Sequence, residues 1–251
     1  MPDASSRVAR RNRELGQIAP RPEHHHRDID RGTARAAVFG VSDGLVSNVS
    51  LILGVAGANP GVGVVRLAGL AGLIAGAVSM AAGEYVSMKA QTELYERELD
   101  LERRELRRNP HVETVELTQI YQSRGVDPDR ARELAQQMMA DPEMALQTHA
   151  REELGIDPDK LGSATGAAVS SFFAFAIGAL VPLLPWFFGS GTAATVMSIV
   201  LGGLASVIVG SLLARFTGRA VWFSAGRQLA IAAFAAGVTF LVGHIVGVGV
   251  S

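Results

Sequence analysis

The chain has 251 residues, a formal net charge of −1 and a mean hydropathy of +0.24. It contains no cysteine, which excludes disulfides, thiolate zinc sites and iron–sulfur clusters. The near-neutral total hides a segregation: no residue from Leu161 to Ala214 is charged, whereas more than a third of residues 89–160 are, mostly as acids. A chain divided in this way spans a bilayer and carries an acidic domain in water.

Residues 1–35 form a basic tail rich in arginine (Arg7, Arg10, Arg11, Arg13 and others). The tail is long and polar and has no apolar core before residue 36, so it does not read as a signal peptide. His24-His25-His26 reads as part of a solvated tail. Five apolar segments follow, at about Ala36–Ala58, Leu67–Met88, Thr165–Phe188, Ala193–Ala214 and Gln228–Val250. Each is near the length of about 20 residues that a spanning helix needs. Helices rather than strands are implied, because backbone groups in lipid must be satisfied internally. Gly and Ala recur in all five, as expected where membrane helices approach closely.

The expected architecture is all-α: an integral membrane protein with five transmembrane helices and a helical metal-binding domain inserted between helices two and three. The domain boundaries are a tail at 1–35, transmembrane helices at 36–88, the acidic domain at 89–160 and transmembrane helices at 161–251. Arginines in alternate loops place the tail and the acidic domain in the cytoplasm. Within the acidic domain, Lys89–Arg108 contains no Gly or Pro, so it continues the second apolar helix out of the membrane until Asn109-Pro110 stops it. Further helices are expected over Val112–Ser123, after Asp127-Pro128, and from Asp141-Pro142 to Gly155.

Two acids lie inside apolar segments. Asp43 falls in Phe39-Gly-Val-Ser-Asp-Gly-Leu-Val-Ser47 and Glu84 in Met80-Ala-Ala-Gly-Glu84. A carboxylate there costs about 3 kcal/mol on insertion scales, and such groups generally face a partner or a water-filled path. The alternatives are that Asp43 caps a broken helix and that Glu84 snorkels. On the long helix, Glu98, Glu102 and Glu105 share one stripe, and Met80 and Glu84 project onto the same side. Glu113 and Glu116 are three apart on the next helix. His149 and Glu153 are four apart on the last, with Glu152 beside them. Carboxylates and an imidazole from three helices follow the logic of carboxylate-rich iron sites in bundles, and such ligands suit Fe²⁺, Mn²⁺, Co²⁺ or Zn²⁺. Glu98, Met138, Met139 and Glu152 are additional candidates; the Met138-Met139 pair either contributes or fills the core. Spacing alone leaves open the alternative of a solvated face of Glu–Arg pairs.

Ser42-Asp-Gly-Leu-Val-Ser-Asn-Val-Ser-Leu-Ile-Leu-Gly-Val-Ala56 resembles the first helix of the vacuolar iron transporter family. Gly83-Glu-Tyr-Val-Ser87, followed by Gln91 and Glu93, resembles its second helix, and Thr148-His-Ala-Arg-Glu-Glu-Leu-Gly155 the end of its soluble domain in prokaryotic members. The resemblance covers nearly the whole chain from about residue 33. It implies five membrane helices per subunit, a homodimer and proton-coupled export of Fe²⁺, with Mn²⁺ and related ions, from the cytoplasm. It places the family's soluble-domain glutamates on Glu102, Glu105, Glu113, Glu116 and Glu153, and its intramembrane acid and methionine on Asp43 and Met80. The chain departs from the family in carrying His149-Ala150 where members have a Met pair, and Ala36 where members have an acid.

The expectation is therefore a divalent-metal antiporter and not an enzyme, in a prokaryotic plasma membrane. Its partners are a second copy of itself, membrane lipid, metal ions and protons, with no organic cofactor and no nucleic acid. The alternatives are a membrane-anchored metal sensor or buffer and a passive cation channel. An intramembrane protease is disfavoured, because neither a Gly-x-Gly-Asp turn nor His-Glu-x-x-His occurs.

Overall fold

A computed structural model describes residues 31–158 and 161–250; the basic tail and His24-His25-His26 lie outside the described residues. These residues form α1 (Arg31–Gly57), α2 (Val62–Arg108), α3 (Pro110–Ser123), α4 (Pro128–Met138), α5 (Pro142–Glu152), α6 (Ala164–Phe188), α7 (Gly191–Thr217) and α8 (Val221–Val250). Among the described residues there is no strand. Five of the helices, α1, α2, α6, α7 and α8, are long and apolar enough to cross a membrane.

The helices overrun the apolar segments at several ends. α8 begins at Val221 rather than Gln228, and α2 at Val62 rather than Leu67. Hydropathy marks where the chain leaves hydrocarbon, whereas helical hydrogen bonding can continue past that point. α2 is the extreme case: its 47 residues make a rod of about 70 Å, more than twice the hydrocarbon thickness of about 30 Å. It ends at Asn109, whose backbone N–H donates to the Glu105 carbonyl, and Pro110 opens α3.

The short helices start where proline and aspartate dictate. The Asp127 carboxylate accepts from the backbone N–H groups of Asp129 and Arg130, and that of Asp141 from Glu143 and Met144. Pro128 and Pro142 occupy first-turn positions whose missing N–H costs nothing. α3 and α4 form a hairpin around Leu117, Tyr121, Ala131 and Ala135. α5 leans on α2 through Leu99, Leu146 and Ala150. That small contact decides which charged side chains are carried inward.

In the apolar part, α1 is the central helix and packs on α2, α6, α7 and α8. Its closest neighbour is α6. A side chain at Gly44 would collide with the Phe175 carbonyl, and one at Gly178 with the Val41 carbonyl. The two glycines let the backbones touch, the contact by which apolar helices associate in lipid. α6 contains Pro182 and Pro185. Ser198 of α7 donates to the Pro182 carbonyl at 2.7 Å, and Arg66 of α2 to the Trp186 carbonyl at 2.5 Å.

Candidate metal centre

Three acid-bearing elements converge outside the apolar segments. Glu102 lies well past Met88, where the apolar stretch of α2 ends. Glu113 stands in the first turn of α3, and His149 near the end of α5. All three are buried, at 3 %, 6 % and 0 % exposure. One ligand atom from each lies within 4.8 Å of the others. His149 Nδ1 is 3.1 Å from Glu102 Oε1, 3.4 Å from Glu153 Oε2 and 3.9 Å from Glu113 Oε2. Glu153 caps α5 and is partly open to solvent.

Burial and mutual repulsion shape the electrostatics. The Glu102 carboxyl is pushed up from 4.5 to about 7, first by burial and then by Glu153, Glu113, Glu105 and Glu116. Glu113 is raised by burial and by Glu116, with His149 acting in the opposite direction. Five glutamates therefore share one field. No lysine or arginine among the described residues pairs with Glu102, Glu113 or Glu153. The neighbouring arginines are engaged elsewhere: Arg124 with Glu152, Arg103 with Asp100 and Arg151 with Asp157. Nor does His149 Nε2 have a hydrogen-bond partner. Converging oxygens and an imidazole nitrogen, buried and not neutralised by a fixed cation, have the chemistry of a divalent-ion site.

The other candidates fall in different places. Glu105 is exposed and Glu116 half-buried, both flanking the buried group. Glu98 is half-buried one turn before Glu102. Glu152 turns away to Arg124, whose guanidinium also donates to the Glu152 carbonyl at 3.2 Å. Met138 and Met139 pack against the Leu117–Tyr121 cluster of the α3–α4 hairpin.

Within the apolar helices, Met80 and Glu84 line an open cavity of about 380 Å³ with Phe39, Gly83 and Ser87. Asp43, one turn beyond Phe39, is exposed and accepts a hydrogen bond from Ser47 at 3.1 Å. Ser47 sits four residues after Asp43, a spacing that could have flagged it in the sequence. Two further polar groups escape sequence reasoning. Asn48, 2 % exposed, donates to the Ala179 carbonyl at 2.6 Å, and its Oδ1 has no partner. Gln228 of α8 donates to Ser42 at 2.7 Å, across 186 residues of chain that leave no local signal.

Spanning helices combined with a buried carboxylate–imidazole group define a multi-pass membrane protein with the makings of a metal site. Residues 34–244 match the model of the VIT family. The chain is 39 % identical over 219 residues to the vacuolar iron transporter of Acanthamoeba castellanii, covering 85 % of this chain and 78 % of that one. It is 32 % identical over 220 residues to vacuolar iron transporter 2 of Oryza sativa subsp. japonica, covering 87 % and 89 %. With vacuolar iron transporter 1 of Arabidopsis thaliana it shares 31 % over 213 residues, covering 84 % and 85 %. The chain belongs to the VIT family, a family of metal transporters.

Proposed function

We propose that this protein exports Fe²⁺, and Mn²⁺ as a second substrate, from the cytoplasm in exchange for protons. The observation that carries the reading is the buried Glu102–Glu113–His149 group, whose ligand atoms lie within 4.8 Å of one another without a fixed cation. The ion is captured there, with Glu153 as a further ligand and Glu105 and Glu116 deepening the negative field. Carboxylates held together repel, and a divalent ion relieves that repulsion. Zn²⁺ and Co²⁺ fit the same donors.

From the charged helices the ion passes to Asp43 and Met80. Competition between proton and metal for the Asp43 carboxylate is the simplest exchange coupling: a proton arriving from outside displaces the ion, and an ion arriving from the cytoplasm displaces the proton. The exposed stripe of Phe39, Asp43, Ser47 and Leu51 on α1, whose residues 36–57 are otherwise buried or half-buried, supports a homodimer, because a carboxylate facing lipid is costly. A second copy would cover the stripe and enclose the path. The arginine pattern of the loops supports a cytoplasmic site for the charged helices.

The test is metal flux in proteoliposomes holding a pH gradient, with Fe²⁺, Mn²⁺, Zn²⁺ and Ca²⁺ compared. Gradient-driven Fe²⁺ or Mn²⁺ movement that Asp43→Asn abolishes is the expected result. Flux indifferent to the gradient would replace the exchanger with a channel. No flux, with metal still bound, would make the protein a membrane-anchored buffer or sensor.

A further inference from the structure

One donor in the buried group differs in kind from the rest. Of the three histidines among the described residues, His111, His149 and His244, only His149 joins Glu102 and Glu113. Its ring is fully buried and turned one way. Nδ1 faces Glu102 Oε1 at 3.1 Å, Glu153 Oε2 at 3.4 Å and Glu113 Oε2 at 3.9 Å. Nε2 has no hydrogen-bond partner among the described residues. Nδ1 shares a hydrogen bond with Glu153 Oε2. Glu102 Oε1 lies nearer to the ring nitrogen, is buried, and takes part in no hydrogen bond among the described residues.

These separations are close to those between ligands of one small ion. Donors at about 2.1 Å from a metal stand about 3.4 Å apart in a tetrahedron and about 3.0 Å apart in an octahedron. The distances from Nδ1 to Glu102 and Glu153 already fall in that range. Glu113 has to approach by about 0.5 Å. The result is four protein donors, three carboxylate oxygens and one imidazole nitrogen. An all-oxygen set suits Mg²⁺, Ca²⁺ and Mn²⁺, whereas imidazole suits Fe, Zn and Cu, and affinity for a given mixed site rises from Mn²⁺ through Fe²⁺ to Co²⁺. Ca²⁺ wants six to eight oxygens at longer distances, and Mg²⁺ keeps most of its water. Four donors also match the tetrahedral habit of Zn²⁺.

We propose that His149 is the specificity-determining ligand of the capture site, ranking Zn²⁺ and Co²⁺ above Fe²⁺ and Fe²⁺ above Mn²⁺, and turning away Ca²⁺ and Mg²⁺. The inference rests on the capture role given to this group above and adds which ions it selects and through which atom. Nδ1 gives its lone pair to the ion, and the ring proton then resides on Nε2. Further along the path, Asp43 and Met80 offer only oxygen and sulfur, so selection by nitrogen takes place at capture. Zn²⁺ is accordingly a competitor that Fe²⁺ meets at this site.

The experiment titrates the full chain in detergent with Zn²⁺, Co²⁺, Mn²⁺ and Ca²⁺, each alone, and repeats the titrations with His149→Asn, whose side chain can present an oxygen close to where Nδ1 stands. In the wild type, Zn²⁺ is expected to bind on the order of a hundredfold more tightly than Mn²⁺, and Ca²⁺ more weakly still. His149→Asn is expected to cut the Zn²⁺-to-Mn²⁺ ratio by about tenfold or more, on the scale of a lost metal contact, while Mn²⁺ affinity stays within about threefold. Bound Co²⁺ is expected to show the intense visible absorption of a four-coordinate ion, which needs no variant to observe. A wild-type ratio near one would overturn the proposal. So would an equal loss of Zn²⁺ and Mn²⁺ affinity in His149→Asn, which would make the ring a packing element. Absence of binding by every metal in the wild type would overturn the capture site itself, a result distinct from binding without selectivity.

Discussion

His149 Nδ1 lies 3.1 Å from Glu102 Oε1 in a space that solvent does not reach. The imidazole comes from α5 and the carboxylate from α2, so the pair exists only when the two helices are docked. The contact is a property of the fold and not of either residue alone.

The raised Glu102 carboxyl makes the metal-free protein pH-sensitive. The group titrates near 4.5 when unfolded and at about 7 when folded. Between those values the folded state therefore binds more protons than the unfolded one, and stability falls as pH rises through this window. Thermal unfolding of the metal-free protein should show a Tm that drops from pH 5 to pH 7.5. Glu102→Gln should flatten the profile and raise Tm at pH 7.5 by roughly a few degrees. A profile unchanged in Glu102→Gln would assign the titration to another group.

Metal binding should show the complementary dependence. Because a bound ion must displace the proton on Glu102, Fe²⁺ or Mn²⁺ affinity should weaken by about tenfold per pH unit below pH about 7. Isothermal titration with Mn²⁺ at several pH values checks this, and proton release on binding should accompany it.

Two adjacent glutamates should behave differently on substitution. Glu153 faces His149 at 3.4 Å, whereas Glu152 pairs with Arg124. Glu153→Gln or Glu113→Gln should lower metal affinity by roughly tenfold or more, on the scale of a disrupted metal shell. Glu152→Gln should change it less than about twofold, because an exposed ion pair contributes little. The double change Glu102→Ala, Glu105→Ala should weaken metal uptake more than it weakens folding, read as metal titration beside circular dichroism.

The crossing of α1 and α6 should tolerate no added bulk. Gly44→Val or Gly178→Val forces the backbones apart at the Phe175 and Val41 carbonyls. Overpacking of this kind costs about 1–3 kcal/mol. A lower unfolding temperature in detergent checks it, with Gly83→Ala as a neutral control, since a Cβ at Gly83 meets nothing within 4 Å.

Much of this arrangement is legible in the sequence because it rests on local rules. Hydropathy marks the five spans, and Asp-Pro pairs open α4 and α5 at the expected positions. Helical spacing groups Glu113 with Glu116 and His149 with Glu153. What spacing cannot supply is the docking of α5 on α2, set by Leu99, Leu146 and Ala150. That contact buries Glu102 and His149 while leaving Glu105 exposed. It also leaves Glu152 facing Arg124, which is 28 residues distant in the chain. Met138 and Met139 are occupied by the α3–α4 hairpin for the same reason. In the apolar part, Asn48 and Gln228 find partners on helices far away in sequence, so nothing in their own surroundings announces them.

The unbroken length of α2 has a mechanical consequence. Glu84 and Glu102 are 18 residues apart on one helix, which is five whole turns and about 27 Å at ideal geometry. The two carboxylates are thus in phase on a single shaft. No Gly or Pro lies between them, so a rotation of the charged end on closing the glutamates around an ion would be carried along the helix toward Met80. A single residue inserted between the two would turn one against the other by about 100° while leaving both local surroundings chemically intact.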